Sequence, residues 1–164
     1  MAHQTILGID PGIKEMGTAV IRGRELLHGG VHTLRNGHRP YDVVGQARRV
    51  LLGLLADYAP QIVAIEAPLL LPTKRAALLS VIAEELHARA KEVGCVVVEF
   101  DPRSARRLVA RNEYATKLEV ARVLVRSTFP ILRRSYRPRR RGPRSATPRR
   151  TATGCTYSMR WPSP

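Results

Sequence analysis

Three short apolar runs constrain the fold of this chain more than any other feature. They are Thr5–Asp10 (TILGID), Gln61–Glu66 (QIVAIE) and Cys95–Phe100 (CVVVEF). Runs this short and this rich in β-branched residues read as strands, and the first, which stops at Pro-Gly, reads as a buried one. Gly17–Arg22 (GTAVIR) reads as a further strand, and Arg24–Leu34 as another after a tight turn near Gly23, so that these two and the first strand form an antiparallel meander. Helical stretches separate the rest. Across Tyr41–Tyr58, Val43, Ala47, Val50, Leu51, Leu54 and Leu55 recur at three- and four-residue spacing. Thr73–Val93 places Leu79, Ile82, Ala83, Leu86 and Ala90 on one face. Asp101 suits a helix N-cap with Pro102 in the first turn, and Thr116 with Glu119 fits a capping box opening a last helix, Thr116–Phe129. The order β-β-β-α-β-α-β-α-α implies an α/β fold: a mixed sheet, three antiparallel strands followed by parallel ones, with helices on both faces.

The 164 residues, 44% of them apolar, suffice for one domain with a real core. Two cysteines, Cys95 and Cys155, imply no disulfide framework. No stretch has the length of a membrane span and the N-terminus lacks the pattern of a signal peptide, so a reducing, cytoplasmic location is expected. The formal net charge of +15 points to a polyanionic partner, usually nucleic acid. That charge is uneven. Residues 1–130 hold 18 basic and all 13 acidic residues, whereas residues 131–164 hold 10 arginines and no acid, the last acid being Glu119.

Asp10 and Glu66 each end an apolar strand, where open α/β sheets build their sites. If their strands are neighbours the two carboxylates lie close, and close carboxylates repel unless a cation lies between them. Mg²⁺ or Mn²⁺ prefers such hard oxygen ligands and would activate water against a phosphodiester. The same positions also suit ordinary strand-end acids facing solvent.

ILGIDPGIKEMGTAVI resembles the opening of the RuvC family of Holliday junction resolvases, in which a GIDPG strand end supplies the first catalytic aspartate; here the matching residues are Asp10, Pro11, Gly12 and Gly17. IVAIEAPLL resembles the second motif of that family and puts the catalytic glutamate at Glu66. FDPRSARRLVARNEYATKLEV resembles its later segment, a proline-started helix, a short loop and Ala-x-Lys, with Lys117 in the lysine position. The resemblance spans roughly residues 4–130. It implies a ribonuclease-H-like domain over 1–130 and a Mg²⁺-dependent endonuclease, Mn²⁺ being an alternative ion, that resolves branched DNA in recombination and repair. It also implies a homodimer and a branch-migration helicase as partner. Asp10 and Glu66 would hold metal, and Lys117 would contact the scissile strand. Lys14, Arg103, Arg106, Arg107 and Arg111 would bind phosphates, although each arginine also suits a solvated helix face.

The chain departs from the family pattern twice. Leu69 stands where members carry an aromatic residue that probes the junction. The family also places two further aspartates in a D-x-x-D-A-L-A pattern on a final helix, and no acid follows Glu119 here. A site with half its carboxylates should bind Mg²⁺ weakly and cleave slowly. From Ile131 onward the composition turns to Arg, Pro, Ser and Thr and helical periodicity ends. Residues 131–164 read either as a disordered basic arm that grips DNA or as out-of-frame translation. Back-translated with permitted codons and read from the third codon base, residues 151–163 can yield a peptide containing Asp-Ala-Leu-Ala; Trp161-Pro162 forces one alanine, Met159 before a CGN arginine forces the other, and the aspartate is permitted. Loss of the true last helix would uncover part of the sheet and reduce stability.

Three function classes follow: an active endonuclease, a DNA-binding remnant of a nuclease without efficient catalysis, and an actin-like or sugar-kinase-like ATPase, which also opens with a Gly-Ile-Asp strand. The last predicts a second lobe and Gly-rich phosphate loops, for which the chain is too short.

Overall fold

The computed structural model describes residues 3–35, 40–68 and 72–134. Among them, strands β1 (Thr5–Asp10), β2 (Glu15–Arg22), β3 (Glu25–Thr33), β4 (Ile62–Glu66) and β5 (Val96–Phe100) form one sheet in the order β3-β2-β1-β4-β5. β1, β2 and β3 pair antiparallel, while β4 runs parallel to both β1 and β5. The helices are α1 (Pro40–Tyr58), α2 (Lys74–Glu92), α3 (Pro102–Ala110) and α4 (Lys117–Val123). The expected element order holds, with ends shifted by a residue or two. β2 begins at Glu15 rather than Gly17 because the turn after Asp10 is tight: a Cβ on Gly12 would lie 2.0 Å from the Glu15 carbonyl oxygen.

One expectation is corrected. Thr116–Phe129 is not one regular α-helix: α4 ends at Val123, and Leu124–Thr128 widens into a π-helical turn in which the Phe129 N–H donates to the Leu124 carbonyl at 2.7 Å. Pro130 supplies the reason. A residue before proline is driven out of the α region, and Phe129 sits at φ −129°, ψ 75°. A 3₁₀ turn, Pro130–Arg134, follows. The remainder of the basic segment, 135–164, lies outside the described residues, as does Leu69.

The strands alternate faces as the pleat requires. Leu7 and Ile9 of β1, Met16 and Val20 of β2 and Val63 and Ile65 of β4 are buried under α1 and α2, against Val43, Ala47, Leu51, Ile82 and Leu86. Each such side chain contributes roughly 1.5–3 kcal/mol on burial. An ion-pair set joins the two helices on their outer side, with Glu85 accepting from Arg48 of α1 and from Arg89 of α2. The opposite face carries Ile6, Gly8, Ala64 and, on edge strand β5, Val96 and Val98, which are 61% and 46% exposed. Asp10 and Glu66 belong to this second face, beside α3 and α4.

Gln61 fixes how β1 meets β4. Its side-chain oxygen accepts from the Thr5 N–H at 2.7 Å, its own N–H donates to the Thr5 carbonyl at 3.0 Å, and its carbonyl accepts from the Val96 N–H at 2.9 Å. On the buried face of β2, the Thr18 hydroxyl lies 2.9 Å from His32 Nε2 and 3.4 Å from His28 Nε2. Gly30, opposite Thr18, lets both rings lean inward, since a Cβ there would meet His28 Nε2 at 3.4 Å. Burial lowers the pKa of both imidazoles; the Asp57 charge partly opposes this at His28, and the charge of His28 adds to it at His32.

Candidate active site

The register Ile9↔Ile65 puts Asp10 and Glu66 one position further on, at the carboxyl ends of neighbouring parallel strands and on the same face. Gly17 faces Asp10 across the antiparallel pair, and its missing side chain leaves the carboxylate open toward solvent. Glu66 is half-buried and its carboxyl is pushed above the usual carboxylate range, first by burial and then by the charge of Asp10; Lys117 and Arg106 pull it back, and Asp101 adds to the rise. The charge of Asp10 thus bears on Glu66, as expected of close carboxylates on neighbouring strands. A cation placed between them would relieve the repulsion.

The structure brings Lys117 to these acids. Its Nζ lies 3.8 Å from Asp10 Oδ2, in an exposed pair. The position follows from local sequence. Thr116 caps α4, its hydroxyl accepting from the Glu119 N–H at 3.3 Å, while Glu119 Oε2 accepts from the Thr116 N–H at 2.7 Å. Those bonds from Thr116 hold the Glu119 carboxyl below the usual range. The capping box thus sets the first turn of α4, and with it Lys117, against the end of β1.

Two clefts meet at the acids. The larger, about 460 Å³, is lined by Asp10, Glu66, Thr73, Arg75, Asp101, Arg103 and Arg106 among others. The smaller, about 360 Å³, runs between α3 and α4 and is lined by Asp10, Glu66, Arg106, Val109, Lys117 and Leu124 among others. Arg106 lines both. Arg107 and Arg111 are exposed on and just after α3, and Lys14 is exposed in the β1–β2 turn; these three line neither cleft. Asp101 is the N-cap of α3, its Oδ2 accepting from the Ser104 N–H at 2.9 Å, and that backbone bond is the main cause of its lowered pKa. Thr73 and Arg75, at the start of α2, were not among the sequence candidates. The signal was present in the Thr-Lys-Arg that opens a helix just after the glutamate motif. Thr73 caps that helix by accepting from the Ala76 N–H at 3.1 Å, which aims its first turn at the cleft.

No family model matches the chain. The crossover junction endodeoxyribonuclease RuvC of Pelodictyon phaeoclathratiforme is 31% identical over 126 residues, covering 74% of this chain and 66% of that protein. Among solved structures, a Thermus thermophilus RuvC superposes with a TM-score of 0.67 at 27% identity, covering 82% of this chain and 85% of that one. A T. thermophilus RuvC in complex with a Holliday junction substrate gives a TM-score of 0.67 at 26% identity, covering 75% and 78%. The chain belongs to the RuvC family. Its α/β sheet is the ribonuclease-H-like sheet of that family. The chain spans about 66% of the length of the curated RuvC relative. Asp10, Glu66 and Lys117 adjoin one another in this structure, and no residue of the chain after Glu119 is acidic.

Proposed function

We propose that this chain is a divalent-metal-dependent endonuclease of the RuvC type acting on branched DNA, and that its hydrolysis is slow. The observation carrying this reading is the convergence of Asp10, Glu66 and Lys117 on one face at the ends of β1 and β4. Two carboxylates beside an open cleft suit one Mg²⁺, an ion that keeps several waters and is commonly held by one or two carboxylates plus substrate phosphate; Mn²⁺ shares the preference for oxygen. They do not suit a pair of ions: among the described residues no group of three or more His, Cys, Asp or Glu is placed to share a metal. When bound, the ion supplies Lewis-acid polarisation and a more acidic water. The chain's own residues do the remainder. Lys117 neutralises Asp10 when no metal is held and presents its ammonium to the phosphodiester when one is. Arg75, Arg103 and Arg106 line the cleft with charge of the sign that phosphates need.

The test is a labelled four-way junction incubated with Mg²⁺ or Mn²⁺. Cleavage by the chain, lost in Asp10→Asn while junction binding persists, supports the proposal; equal cleavage by Asp10→Asn would refute the role given to Asp10. A second reading, a DNA-binding remnant without efficient catalysis, is favoured by the two-carboxylate site, and binding without cutting at any metal concentration would select it. A homodimer, a branch-migration helicase partner and a cytoplasmic location belong to the same proposal and rest on family membership. Among the described residues no helix is long and apolar enough to cross a membrane.

A further inference from the structure

The loop between α3 and α4 presents an aromatic ring to solvent from a fixed base. Tyr114 is 77% exposed, yet its backbone is held on both sides. Its N–H donates to Asn112 Oδ1 at 3.0 Å. The next residue, Ala115, is buried and donates to the Asn112 carbonyl at 3.2 Å, and Thr116 then closes the cap of α4. An exposed ring on an anchored backbone gives up little freedom when it stacks, because only two side-chain torsions remain to be ordered.

Cations and one strained residue flank the ring, with Glu113 the acid beside it. Arg111 ends α3 in the left-handed conformation, φ 54° and ψ 24°. That conformation disfavours residues with a Cβ, and such outliers gather at binding sites. The chain nevertheless keeps a cation there, with Arg107 one helical turn earlier. Three residues beyond Tyr114, the Lys117 ammonium is 3.8 Å from Asp10. Three residues can span at most about 11 Å, so the Tyr114 and Lys117 backbones are no more than about three nucleotide steps apart, at ~3.4 Å per step along a strand. An aromatic face interleaved with cations is the pattern that holds unpaired nucleic acid.

We propose that Tyr114, with Arg107 and Arg111, forms a stacking site for an unpaired or partly unstacked nucleobase within about three nucleotides of the bond held at Asp10 and Glu66. The proposal rests on the nuclease reading above and adds to it a residue that tells distorted DNA from plain duplex.

The experiment uses the full chain without added metal, a four-way junction carrying 2-aminopurine at the crossover, and a fully paired duplex of the same sequence. Wild-type protein should quench the 2-aminopurine and bind the junction more tightly than the duplex. Tyr114→Ala should lose the quenching and bind the junction roughly five- to a hundredfold more weakly, while duplex affinity stays as it was. Tyr114→Phe should keep both signals. The melting temperature of Tyr114→Ala should match wild type, since the ring is exposed. If Tyr114→Ala keeps the quenching and the junction affinity, the stacking site is overturned and the nuclease reading stands. If the wild-type chain shows no preference for junction over duplex, both are overturned.

Discussion

Arg111→Gly should make the protein more stable and its grip on DNA weaker. Arg111 has φ 54° and ψ 24°, a left-handed conformation at the C-cap of α3. An L-residue there carries a cost of roughly 1–2 kcal/mol, which glycine removes. Glycine also gives the unfolded chain more freedom, which returns about 0.4–1 kcal/mol. The net gain is about 1 kcal/mol, or ~2–4 °C in melting temperature for a chain of this size. The same change deletes a cation next to the loop that precedes Lys117. If Arg111 contacts a phosphate, the slope of log affinity against log salt should fall by about 0.9. Circular-dichroism melts and duplex binding from 50 to 200 mM salt read the two effects separately. A lower melting temperature would show that Arg111 makes folded-state contacts worth more than the strain. An unchanged salt slope would remove it from the DNA interface.

Other outcomes follow from the same structure. Gly12→Ala should lower the melting temperature and abolish cleavage, because its Cβ would sit 2.0 Å from the Glu15 carbonyl oxygen and force open the turn behind Asp10, whereas Gly45→Ala in α1, with nothing within 4 Å, should not destabilise; equal melts for the two would refute the clash. Thr116→Ala should cost about 0.5–2 kcal/mol by removing the capping box, readable by chemical denaturation, and an unchanged midpoint would mean that the cap contributes nothing. The folded chain holds His28 and His32 below their ordinary value of 6.5, so the unfolded chain takes up protons first, and stability present above about pH 6.5 should be lost as the pH falls. Melts between pH 7.5 and 5 should show that fall, and should show less of it in His28→Asn and His32→Asn; a flat profile in wild type would contradict the burial of these rings.

Much of the fold was legible because its signals are local. TILGID and QIVAIE read as strands from their short apolar pattern, and the capping residues Asp101 and Thr116 each accept the backbone N–H that their sequence context anticipates. The pairing of Asp10 with Glu66 needed one further step, that β1 and β4 be neighbours, and the family motifs supplied it. What escaped depends on contacts distant in sequence or on a neighbour's backbone preference. Arg75 enters the cleft only because α2 starts beside Glu66. The widened turn at Leu124–Thr128 depends on the residue before Pro130, which the apolar spacing of that helix conceals. Arg111 reads from sequence as a phosphate-binding candidate on a helix face, and its left-handed backbone is hidden there because no periodicity reveals a backbone angle. Sequencing the gene across codons 125–164 tests the out-of-frame reading of residues 131–164, and codons incompatible with the shifted motif would refute it.

Gln61 has a consequence for how the chain folds. Side chains alternate across a strand with a period of two, so a slip of β4 by one residue against β1 would turn Glu66 inward beneath α1 and α2 and bring Val63 and Ile65 out to water. A carboxylate in that core would cost several kcal/mol unpaired. The two bonds between Gln61 and Thr5 close only in the native register. They serve as a checkpoint at one end of the strand pair, and the two acids report at the other end that it was passed, so a misthreaded chain would lose its core and the pairing of Asp10 with Glu66 in the same step.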